Sequence, residues 1–201
     1  MHSNGFVKPT TMARIAVDKM VTLYIGGVHA SQEPIMIKTL LGSCIAACLY
    51  DPERRVGGMN HFMLPQDNGL RDRSDHNVTR FGVHAMDRLI AAVMKVGGER
   101  RRLVAKVFGG AHVLGIGDSQ SSIPCQNIAF IRTFLKKENF PVISEDVGGY
   151  DPREVRFLTE TGQVLVRQVA NTRAWRQLMY QEKIEEAKPP TYGEVTLFQK
   201  D

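Results

Sequence analysis

Cys44-Ile45-Ala46-Ala47-Cys48-Leu49-Tyr50, then Asp51-Pro52-Glu53-Arg54-Arg55, then Val56-Gly57-Gly58-Met59-Asn60-His61-Phe62-Met63-Leu64, is the stretch on which the reading of this chain turns. Ile45 to Tyr50 is a short, continuous apolar run bounded by turn residues, the pattern of a strand buried on both faces. Asp51 to Arg55 is turn chemistry, and Val56 to Leu64 returns as a second strand that Pro65 ends. Centring the turn between Glu53 and Arg54 sets Cys44 opposite Met63 and Ala46 opposite His61. Side chains alternate along a strand, so Cys44 and Ala46 share a face. Cys44 and His61 are then diagonal neighbours, roughly 5–8 Å apart at Cβ. A slip of one residue would put them on opposite faces of the sheet.

A thiol beside an imidazole has a definite chemistry. The imidazole can take the thiol proton, and the thiolate can attack an amide carbonyl. The imidazolium can then protonate the departing amine. The turn Gly42-Ser43-Cys44 supplies backbone N–H groups that can face a developing oxyanion. The plain alternative is a small core cysteine and a strand histidine with its hydrogen bonds met. Cys48 lies on the same face, further in, and reads as core. Cys125 precedes a helix and has no evident partner.

Outward from this pair, Val21 to Ile25 reads as a strand stopped by Gly26-Gly27, and Pro34 to Leu40 as another. Residues 66–76 read as a mobile polar loop, with Ser74 or Asp75 available to cap the next helix. Val78, Phe81, Ala85, Leu89, Ala92 and Val96 share one helical face, which predicts a helix over 77–96. Leu103 to Phe108 is a strand closed by Gly109-Gly110. Gln126 to Glu138 is a second helix, and Pro141 to Val147, Val155 to Thr159 and Val164 to Val169 are three further strands. This inventory implies an α/β layered sandwich, a largely antiparallel sheet covered by two main helices.

The length of 201 residues suits one domain with tails. Residues 1–19 read as a flexible leader, 20–170 as the folded domain, and 171–201 as an extension in which Trp175, Leu178 and Met179 dock a short helix before Pro189-Pro190. The segment Met1 to Met20 has no apolar core of a signal peptide. No apolar run approaches the roughly 20 residues of a membrane span, so membrane insertion is not expected. Three cysteines do not make a disulfide framework and fit a reducing, cytoplasmic compartment. The formal charge of +5 is dispersed. Its one dense run, Arg100-Arg101-Arg102, reads as a solvated loop, so no nucleic-acid partner is expected. His76, His84 and His112 show no metal-ligand spacing, and Gly115-Ile116-Gly117 lacks the third glycine of a dinucleotide loop. Neither a metal nor an organic cofactor is expected.

The blocks Lys38-Thr39-Leu40-Leu41-Gly42-Ser43-Cys44, Leu49-Tyr50-Asp51-Pro52 and Gly57 to Pro65 resemble the active-site region of the CheD family of chemoreceptor glutamine deamidases. The resemblance continues through Phe108-Gly109-Gly110-Ala111, Asn127-Ile128, Ser144 to Gly149, and Thr161 to Arg167, covering about residues 20–170. It implies a fold related to deamidating bacterial toxins, Cys44 as nucleophile, His61 as catalytic base, and a threonine completing the site. Some members read Thr-Leu-Gly-Leu-Gly-Ser-Cys. This chain is one residue shorter, so Thr39 is the natural candidate, while counting back from the cysteine reaches Lys38. Ser43, Gly42 and the Cys44 N–H are oxyanion candidates. Gly109, Gly110 and Ala111 either line a substrate groove or form a tight turn. The implied substrate is the cytoplasmic helical bundle of a chemoreceptor. Other readings are a binding partner of the CheC phosphatase and a hydrolase of receptor glutamyl methyl esters.

Overall fold

The computed structural model describes residues 19–64, 76–113 and 122–169. The expected leader up to residue 18, most of the polar loop with its Ser74 and Asp75 cap, Gly115 to Gly117, and the C-terminal extension lie outside the described residues. The strands form two sheets. One contains β1 (Met20–Thr22), β3 (Met36–Leu41), β8 (Arg153–Leu158) and β9 (Val164–Gln168), in the order β1-β3-β8-β9. The other contains β2 (Val28–Ser31), β4 (Ile45–Asp51), β5 (Val56–Asn60), β6 (Val104–Gly109) and β7 (Val142–Val147), in the order β2-β5-β4-β6-β7. Pairing is antiparallel except for β1 with β3 and β6 with β7. Among the described residues two α-helices, α1 (His76–Lys95) and α2 (Ile123–Lys137), accompany the sheets.

Three layers result. Met86, Leu89, Ile90 and Val93 of α1 and Ile131, Phe134 and Leu135 of α2 pack on Ile45, Ala47, Leu49, Ala105 and Val107 of the five-stranded sheet. The opposite face of that sheet, with Cys44, Ala46, Cys48, Met59 and Phe108, meets Ile37, Leu41, Val155 and Phe157 of the four-stranded sheet. β4 therefore serves two cores, which is why its sequence is apolar without alternation.

The layered α/β character is as the sequence implies, but the strands divide between two stacked sheets where one sheet under helices was expected. β2 was not anticipated. Its four residues, Val28 to Ser31, make a run too short to stand out beside Gly26-Gly27, and the strand is fixed by antiparallel pairing with the edge of β5 and by Val28 and Ala30 packing on the helix-side core. The buried stripe of α1 is also rotated from the predicted one. Phe81 is exposed, and Gly82 faces α2, where an added Cβ would lie 2.4 Å from the Phe130 ring. That close crossing of the helices sets the stripe at Gly82, Met86, Leu89, Ile90 and Val93. α2 begins three residues earlier than predicted, at Ile123, with Pro124 in its first turn, where a missing N–H costs nothing.

The arginine run is a single turn of 3-10 helix, not a free loop. Arg100 pairs with Glu138, Arg101 with Glu99, and Arg102 with the buried carboxylate of Asp51 at 2.8 Å. Asp51 also accepts from the backbone N–H groups of Glu53, Arg54 and Glu99, at 3.0, 3.1 and 2.9 Å. Burial opposes its charge, yet Arg102 and these N–H groups hold its carboxyl well below the usual carboxylate range. The carboxylate thereby fixes the β4–β5 turn that sets the register of the site.

Candidate active site

The β4–β5 register is the one the turn predicts. Asp51 pairs with Val56 and Cys48 with Met59, and an isolated bridge joins Ile45 to Phe62. Between these points the ladder is interrupted for a definite reason. The side-chain Oδ1 of Asn60 accepts from Ala47 N at 3.0 Å in place of a backbone carbonyl, and its Nδ2 donates to Ala85 O of α1 at 3.0 Å. His61 consequently lies just past the end of β5. Its own backbone pairs with the Gly26-Gly27 turn: Gly26 N donates to His61 O at 2.8 Å, and His61 N to Gly27 O at 3.0 Å. The alternation of side chains is preserved through this segment, so Cys44 and His61 belong to the same face, directed into the layer between the sheets.

β3 brings Thr39 to the same layer. Its hydroxyl donates to Leu23 O at 2.9 Å and lies 2.8 Å from His61 Nδ1. A hydroxyl has one proton to give. With that proton on the Leu23 carbonyl, Oγ1 accepts from Nδ1–H, and the imidazole keeps its lone pair on Nε2. Lys38, one residue earlier, points to the other face of the strand and pairs with Glu154 at 3.7 Å. The two residues left open by counting are thus separated by the pleat, and Thr39 is the one that meets the imidazole. Burial pulls the His61 imidazole down to about 4, against the Leu23 carbonyl, which favours the protonated ring. The ring is therefore neutral at ordinary pH.

Cys44 is 2 % exposed and His61 1 %. The Met63 thioether lies 3.7 Å from Cys44 Sγ and 3.8 Å from Ser43 Oγ. Cys48 is core, as read, and burial pushes its thiol pKa far up. Cys125, read as partnerless, has its sulfur 3.8 Å from His112 Nε2.

Gly109, Gly110 and Ala111 are buried and bonded to the thiol-bearing turn itself. Gly110 N donates to Cys44 O at 2.8 Å, and Ala111 N to Gly42 O at 2.7 Å. Gly109 has φ +111°, and a Cβ there would lie 2.1 Å from Cys44 O. The glycine is required by the turn's own approach. Asn127 of α2 reaches the same turn, its Nδ2 donating to Ser43 O at 2.9 Å. Sequence reasoning did not single out Asn60 or Asn127 as site-building residues. The available signal was an amide side chain at an interior strand position and another on the buried face of a helix, where an unpaired polar group is costly.

The molecule is a three-layered α/β/β domain that gathers a thiol, an imidazole and a hydroxyl into the layer between its sheets. Residues 63–168 match the family model CheD, described as CheD chemotactic sensory transduction, a match that begins just after His61. The chain is 42 % identical over 182 residues to the probable chemoreceptor glutamine deamidase CheD 1 of Shewanella oneidensis, covering 89 % of this chain and 87 % of that protein. It is 38 % identical over 184 residues to the probable chemoreceptor glutamine deamidase CheD of Vibrio cholerae, covering 87 % and 77 %. The chain belongs to the CheD family.

Proposed function

We propose that this protein hydrolyses the side-chain amides of particular chemoreceptor glutamines to glutamate, releasing ammonia, with Cys44 as nucleophile, His61 as base and acid, and Thr39 orienting the imidazole. The observation that supports the residue roles best is the hydrogen bond between Thr39 Oγ1 and His61 Nδ1, 2.8 Å long. It leaves the basic lone pair on Nε2 of a ring that shares a face with Cys44.

In this cycle Nε2 takes the thiol proton as Cys44 Sγ bonds to the glutamine Cδ, giving a tetrahedral oxyanion. The oxyanion faces the Cys44 N–H, with Ser43 beside it on the Gly42 turn. The imidazolium gives its proton to the amide nitrogen, the C–N bond breaks, and ammonia leaves a thioester. His61 then takes a proton from water. The hydroxide adds to the thioester carbonyl, the C–S bond breaks, and the thiol recovers the proton. A neutral, low-pKa imidazole suits this order, because the ring is ready to accept a proton and, once charged in a buried site, surrenders it readily. Substrate reaches the sulfur by displacing the Met63 thioether.

We place the activity in the cytoplasm, on the receptor's cytoplasmic helical bundle. Three free cysteines suit a reducing compartment, and no helix among the described residues is long and apolar enough to cross a membrane. Each event converts a neutral amide into a carboxylate and so raises charge repulsion within the bundle.

The test is incubation of a receptor cytoplasmic fragment with the protein. Ammonia should appear together with the mass change of one amide-to-acid exchange per modified site. Cys44→Ala should abolish both. Activity surviving in that variant removes the thiol mechanism, and methanol in place of ammonia marks an esterase instead.

A further inference from the structure

Three successive carbonyls of the thiol-bearing turn are tied down by three different donors. Gly42 O and Cys44 O are held by the backbone N–H groups of Ala111 and Gly110, at 2.7 and 2.8 Å. The carbonyl between them, Ser43 O, is held by a single side chain, Asn127, at 2.9 Å. Asn127 is fully buried, and its Oδ1 accepts from Leu64 N at 2.8 Å. A backbone N–H can only donate and a carbonyl can only accept, so these partners fix which way the amide is turned. Asparagine is a poor residue for a helix interior, and a buried amide is costly unless bonded. Here both ends are used.

The direction of the Ser43 bond is what matters. The C=O and N–H of a trans peptide point to opposite sides. α2 packs against the helix-facing side of β4, while Cys44 projects into the layer between the sheets. Drawing the Ser43 carbonyl toward α2 therefore aims the Cys44 N–H to the other side, where the Cys44 side chain lies. We infer that Asn127 is a positioning residue for the reaction. It holds the Ser43–Cys44 peptide plane so that the Cys44 N–H faces the oxygen of an amide under attack by Cys44 Sγ. Its second bond, to Leu64 N, anchors the segment that follows His61. One amide thus sets the spacing between the nucleophile turn and the strand that carries the base. The inference rests on the deamidase reading above.

Removing a donor from an oxyanion site lowers kcat by about 100- to 1000-fold, and mis-aiming one should cost somewhat less, about 10- to 100-fold. Deamidation of a receptor cytoplasmic fragment is measured for the wild type, Asn127→Ala, Asn127→Asp and Cys44→Ala, with folding checked by circular dichroism. Asn127→Asp retains the acceptor for Leu64 N, so the helix contact persists while the donor to Ser43 O is lost. Both Asn127 variants should lose kcat with KM held within about threefold. The acid limb of the pH profile should not move in Asn127→Ala, because the His61 ring is held by Thr39. Asn127→Asp should recover rate relative to Asn127→Ala on acidification, as a protonated carboxyl again donates to Ser43 O.

A folded variant with kcat within about threefold of wild type overturns the inference, as does a loss confined to KM or a shifted acid limb in Asn127→Ala. Wild type as inert as Cys44→Ala would sink the deamidase reading itself. An active wild type, a dead Cys44→Ala and fully active Asn127 variants would sink only the role given to Asn127.

Discussion

Acidification should unfold this protein through His61 before its surface carboxylates matter, and the size of the effect can be worked out. The ring is fully buried, and burial lowers its pKa from the ordinary 6.5 to about 4. Between those values the unfolded chain binds a proton that the folded chain refuses, so stability falls as pH falls through this window. The full difference corresponds to about 3 kcal/mol at 1.36 kcal/mol per pKa unit. Going from pH 7 to pH 4.5 should expose about 2 kcal/mol of it. With an m-value of about 2 kcal/mol/M, the urea midpoint should drop by about 1 M from this group alone. Other groups also titrate, so the measurement is a comparison. His61→Asn removes the titration while keeping a donor near Thr39 Oγ1. Urea curves for both proteins at pH 7 and 4.5 should show the extra drop only in the wild type. Parallel drops in the two proteins would refute the reasoning, because the ring would then have taken its proton in the folded state.

Thr39→Val removes the hydroxyl shared by His61 Nδ1 and the Leu23 carbonyl, and should lower stability by about 1–3 kcal/mol in urea unfolding and kcat for ammonia release by about tenfold or more. Thr39→Ser, which restores the hydroxyl, should recover most of both. Gly109→Ala asks for a Cβ 2.1 Å from Cys44 O at a φ of +111°, so thermal unfolding should show a lower midpoint and ammonia release should fall with it. Asp51→Ala strips Arg102 and three backbone N–H groups of their shared acceptor. It should cost about 3 kcal/mol in urea unfolding, and a loss under about 1 kcal/mol would show that the turn is held by other means.

The β4–β5 hairpin was legible because a continuous apolar run and a Pro-containing turn converge on one register. The pleat of a strand, in which side chains point alternately to either face, then puts Cys44 and His61 on one face. Sequence counting could not choose between Lys38 and Thr39. The choice depends on which face of β3 meets the five-stranded sheet, a tertiary fact seen in Ile37, Leu41 and Val155, which flank Thr39 in the core between the sheets. The four-stranded sheet as a separate layer was invisible to local pattern, since its strands come from both ends of the domain. β2 left little signal because it is only four residues long, although Val28 and Ala30 alternate into the helix-side core. Asn60 and Asn127 stand in the resembling blocks, but their site-building roles were not legible because a buried amide declares its purpose only through partners distant in the sequence.

A strand that is a wall of two rooms cannot be altered from one side alone. Ile45, Ala47 and Leu49 face the helices, while Cys44, Ala46 and Cys48 face the other sheet, on a single run of backbone. A methylene added or removed beneath the helices must displace that backbone slightly, and the sulfur rides on it. Selection for restored activity in a weakened variant should therefore return compensating changes among the helix-side neighbours Leu89, Val93 and Ile131 as well as among residues that touch the thiol.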